Sequence, residues 1–70
     1  MIVRIVTEHQ AVNFDNENID IIVFNDNSTT KIFTKSGREI CVTGSQEELA
    51  KGLSNLNEMT TVKVDEVTVK

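Results

Sequence analysis

The apolar residues of this chain arrive in short β-branched runs separated by polar turn clusters, and only once at helical spacing. That pattern restricts the fold to a mainly β domain with a single helix, because strands bury every second residue and helices every third or fourth. The strongest run is Ile19-Asp20-Ile21-Ile22-Val23-Phe24. Strict alternation puts Ile19, Ile21 and Val23 on one face and Asp20, Ile22 and Phe24 on the other, so both faces call for cover. Residues 2 to 7 read the same way, with Val3 and Ile5 opposed by Ile2 and Val6 around Arg4. After a turn at Glu8-His9-Gln10, Val12 and Phe14 share a face.

Asn25-Asp26-Asn27-Ser28 breaks the strongest run with residues that tolerate left-handed backbone. Residues 29 to 35 then alternate Lys31, Phe33 and Lys35 against Thr30, Ile32 and Thr34, and Ser36-Gly37 predicts a tight hairpin into residues 38 to 43. The one helix signal follows Gly44. Ser45 can cap free amides, Glu48 can reach back as in a capping box, and Leu49, Leu53 and Leu56 line one face. Gly52 weakens that helix by roughly 1 kcal/mol relative to alanine, which points to a close approach to the sheet. The β-branched tail, 60 to 69, changes phase: Val62 and Val64 share one parity, Val67 and Val69 the other, with Asp65-Glu66 between them. Either a bulge restores the phase or the second half leaves its sheet to pair elsewhere, as a dimerising edge would. The expected architecture is α+β: one bent antiparallel sheet of five or six strands, with a helix over 46 to 56 packed across it.

A domain of 70 residues has a thin core and commonly needs a staple or a partner. Cys41 is the only cysteine and His9 the only histidine, which excludes an intrachain disulfide and the usual single-chain zinc sets. Self-association, as a homodimer, or docking on another protein becomes the expected source of extra burial. A net charge of -4 argues against direct nucleic-acid binding. No apolar run reaches the roughly 18 residues of a membrane span, and Arg4 interrupts the apolar opening. These features predict a cytoplasmic protein with no membrane contact, in agreement with a free thiol.

Charge is sorted along the chain. Glu8, Asp15, Glu17, Asp20 and Asp26 occupy a segment without Lys or Arg, and Lys31, Lys35 and Arg38 follow in a stretch without acid. Sorting of this kind predicts an acidic and a basic partner surface, and Val62, Val64, Val67 and Val69 supply a candidate association edge. Catalytic and metal chemistry find no support. The acids fail calcium-loop spacing because Asp20 stands where the sharp turn needs glycine. His9 beside Glu8 lacks a nucleophile, Cys41 lacks an activating neighbour in sequence, and Glu47 and Glu48 would repel an anion at the helix start. No cofactor is expected.

Asn18, Ile19, Asp20, Thr30, Ile32, Gly37, Arg38, Val42, Ser45, Glu48 and Leu49 fall where residues 18 to 49 resemble the small flagellar FlbD-like family. The resemblance implies a strand–turn–strand–helix unit and carries no functional residue across. The functional expectation is a non-catalytic, self-associating protein-interaction module that meets a protein partner through a sheet edge or charged face. The alternative is an acidic inhibitor from a phage or mobile element that blocks a basic nucleic-acid groove of a host enzyme.

Overall fold

The computed structural model describes residues 1–54 and 58–70. Its strands are β1 (Ile2–Val6), β2 (Ala11–Asp15), β3 (Ile19–Phe24), β4 (Thr29–Thr34), β5 (Glu39–Thr43), β6 (Thr60–Lys63) and β7 (Glu66–Val69), with one α-helix, α1 (Gln46–Ser54), among the described residues. The α+β class and the helix on its predicted site hold. The last predicted helical positions, including Leu56, lie outside the described residues. Instead of one bent sheet of five or six strands there are two sheets, β2-β1-β6 and β3-β4-β5-β7. The pairings are antiparallel except β1 with β6, which run parallel.

The phase change in the tail explains the second sheet. At Val64-Asp65 the chain passes from one sheet to the other: the Val64 N–H donates to Val6 O (2.9 Å) and the Asp65 N–H to Thr43 O (3.0 Å). Crossing between sheets turns Val62, Val64 and Val67 toward the same interior, where each is at most 6% exposed. The expected association edge at Val62, Val64, Val67 and Val69 is therefore largely core, and only Val69 reaches the surface. A second corner forms where β2 runs through a 3₁₀ turn, Asn16–Asn18, into β3. A register shift between Ile19 and Ile21 follows at once. It breaks the strict alternation expected for this strand: Ile19 and Ile22 pack on the core, whereas Ile21 and Val23 face outward.

The remaining gap between the sheets on the side of β6 is filled by α1. Leu49 and Leu53 enter the core formed by Val3, Ile5, Ile32, Ile40 and Val42. The helix start is held by Gln46, whose Nε2 donates to the carbonyls of Asn25 (2.7 Å) and Thr29 (3.2 Å). Ser45 adopts a left-handed φ of 53° rather than the extended backbone of an ordinary cap, and its carbonyl accepts from the Leu49 N–H at 2.9 Å. Gly52 faces β6 so closely that a Cβ there would stand 2.7 Å from Val62 Cγ2 and 3.0 Å from Thr60 Cγ2.

Two substitutions test this packing. Gly52→Ala gains about 1 kcal/mol of helix propensity but overpacks against β6, where the usual cost is about 1–3 kcal/mol, so urea unfolding should show a net loss. Thr30 is fully buried and, among the described residues, its Oγ1 has no hydrogen-bond partner. Replacing it by valine removes an unsatisfied hydroxyl, and the same measurement should show stability rising by about 1 kcal/mol.

Candidate functional site

Folding brings the sorted charges back together. The Lys35 N–H donates to Asn18 O (2.7 Å), which sets the basic β4–β5 turn against the acidic corner carrying Asp15, Glu17 and Asp20. Glu8, in the β1–β2 turn, and Asp26, in the β3–β4 turn, lie at the other end of the molecule, the latter beside the start of α1. Lys31 stands apart from Lys35 and Arg38, on the outer face of β4 between Val23 and Cys41. Neither charge group forms one continuous row. Asp15 caps the 3₁₀ turn by accepting from the Glu17 N–H at 2.9 Å and lies 3.2 Å from the Met1 amino group. The Glu17 amide first, and the Met1 amino group second, hold its carboxyl below the usual range.

The outer face of the four-stranded sheet has two halves. On β5 and β7, Glu39 accepts from the Cys41 thiol (3.2 Å) and pairs with Lys70 Nζ (3.6 Å). Burial, followed by the Glu39 hydrogen bond and charge, pushes the Cys41 thiol up, so it is a poor nucleophile. On β3 and β4 the outward residues are mainly apolar: Ile21 is 54% exposed, Val23 38%, Phe33 lies directly across from Ile21, and Lys31 lies across from Val23. β3 is also an edge strand. The Asn25 N–H donates to Thr29 O (2.8 Å), which fixes the phase of the β3–β4 ladder: Ile21 and Val23 bond to β4, and Ile22 and Phe24 turn their N–H and C=O groups outward. Sequence alternation alone missed this strip because it did not contain the register shift.

A cleft of about 470 Å³ opens on the side opposite α1, between β2 and the ends of β4, β5 and β7. Val12, Phe14, Ile40 and Val69 give it an apolar lining, and the exposed Asn13, Asp15, Ser36 and Arg38 line it as well. A second, charged hollow of about 380 Å³ lies at the β6–β7 corner beside Glu8, His9 and Lys63. Among the described residues, no three His, Cys, Asp or Glu side chains gather as a metal site would require, and no helix is long and apolar enough to cross a membrane.

The Cys41 thiol should alkylate with a neutral reagent at about pH 8 a few-fold more slowly than an unfolded-chain thiol, and Glu39→Gln should speed it. Glu39 itself is held low, first by the Cys41 thiol and then by Lys70 and Lys31. Carboxyls depressed in the folded state bind protons more readily once unfolded. The stability that Asp15 and Glu39 contribute is thus complete above the ordinary carboxylate range and lost as pH falls through their lowered values. Thermal unfolding should show a drop below about pH 4, shallower in the Asp15→Asn/Glu39→Gln double variant. No family model, curated protein or solved structure matches this chain.

Proposed function

We propose that this chain is a non-catalytic protein-interaction module that self-associates through the free edge of β3. The observation that supports it is an edge strand whose Ile21, Val23 and Phe24 are 54, 38 and 46% exposed and whose stretch from Ile21 to Phe24 contains no charge or proline. Natural sheets normally blunt such an edge with lysine, proline or a covering segment. Here the register shift between Ile19 and Ile21 affects only the beginning of the strand.

A second copy fits the edge for geometric reasons. Antiparallel pairing about a two-fold axis through Ile22 joins outward-facing backbone groups of Ile22 in both copies. Ile21 then lies beside Val23 of the partner subunit, extending an apolar row that already includes Phe33. This reading places the valines of the tail in the fold and moves self-association to β3. The spread of Glu8 and Asp26 away from Asp15, Glu17 and Asp20 favours an edge contact over acidic mimicry of nucleic acid. Work in the cytoplasm, where Cys41 stays a thiol, accords with this role.

Sedimentation equilibrium from about 10 μM to about 1 mM should show a monomer–dimer equilibrium, little changed between about 50 and 500 mM salt. Ile21→Lys places a charge in the seam and should weaken association at least about tenfold, which is about 1.4 kcal/mol, with unfolding behaviour unchanged. A wild-type chain that stays monomeric at the highest concentration overturns the reading.

A further inference from the structure

The cleft opposite α1 lies between two strands, β2 and β7, that each end a sheet among the described residues. Backbone bonds from Thr7 to Gln10 and from Asn16 to Met1 bracket the β1–β2 ladder (both 2.9 Å) and set its phase. Val12 and Phe14 spend their backbone groups on β1, so Ala11, Asn13 and Asp15 turn theirs away from it. Glu39 and Lys70 exchange backbone bonds across β5 and β7, which by the same alternation turns Val67 and Val69 away from β5. One outward group is taken: Gln10 Nε2 donates to Val67 O at 2.6 Å, tying the two edges at one end. Beyond that tie, the edges bearing Asn13 and Val69 border the cleft together.

We propose that this cleft binds an extended peptide segment of a protein partner, added as a strand to the β2 edge, with an anionic group held by Arg38. Strand addition needs a free edge, pockets for alternate side chains and a polar anchor. The β2 edge supplies the first, and the apolar lining of Val12, Phe14, Ile40 and Val69 supplies the second. Arg38 supplies the third. It is exposed in the cleft lining and, among the described residues, has no ion pair; Lys35 is exposed in the same turn. Asp15, the acid in the same lining, is already engaged by the Glu17 amide and the Met1 amino group. Glu17 and Asp20 share this corner but do not line the cleft, so within its lining Arg38 is the charged group left for a ligand carboxylate, which a guanidinium can take with two parallel bonds. Alternation in a bound strand sends apolar side chains to the apolar lining and acidic ones to the other side.

The proposal rests on the interaction-module reading but not on β3 pairing, because β3 and β7 are opposite edges of their sheet. The test uses the full chain carrying Ile21→Lys, which weakens β3 pairing, at a concentration where sedimentation shows a monomer. The probe is a six-residue peptide alternating valine and glutamate, blocked at both ends, followed by nitrogen–proton NMR. A second form with a free C-terminus asks whether a terminal carboxylate serves Arg38 better than a side chain. The glutamate peptide should shift the amides of Asn13, Asp15 and Val69 with a Kd of roughly 0.1–1 mM. The valine–lysine counterpart should bind at least about tenfold more weakly, and Arg38→Gln should cost the glutamate peptide about five- to tenfold. Absence of shifts at about 1 mM, equal shifts from both peptides, or indifference to Arg38→Gln each overturns it.

Discussion

One small interior serves two sheets, and the rest of the molecule follows from how the chain reaches it from both sides. The crossing at Val64-Asp65 is decisive: a strand that stayed in one sheet would leave one valine pair in water. By changing sheets there, the tail delivers Val62, Val64 and Val67 to the same core as Ile5, Ile32 and Leu49. Hydrophobic burial is nondirectional, but backbone pairing is not, so the corner is where the two demands are reconciled.

Joining the sheets at two corners leaves two openings with different fates. The helix closes one, and its fit depends on the missing side chain at Gly52 and on Gln46 bonding the β3–β4 turn. The other stays open as a cleft because the chain has no further apolar segment to place there among the described residues. Edges are distributed unequally as well. The β7 edge is partly taken up by Gln10, whereas β3 displays Ile21, Val23 and Phe24. Surface for other molecules is thus what remains once a thin core has been filled.

The charged side chains show why linear sorting is a poor guide to spatial sorting. A hairpin folds its second strand back on its first, and here that brings the turn bearing Lys35 and Arg38 to the corner bearing Asp15 and Glu17. Five acids that look like one surface become a corner group and two distant turn residues. Cys41 gains its character the same way, from a carboxylate two residues along the same face and from partial burial.

Alternation of β-branched residues, the Ser36-Gly37 turn and the leucine spacing after Gly44 determined strands, hairpin and helix without reference to the rest of the chain, because each depends on neighbours a few residues away. The tail's phase change announced a departure from simple pairing, and Gly52 announced a close approach. Tertiary structure alone decided where the tail went, that β3 would slip register after Ile19, and that Arg38 would join the lining of an apolar cleft. Each of those depends on which distant strand offers unpaired backbone groups and unfilled core at that place, and local periodicity carries no record of either.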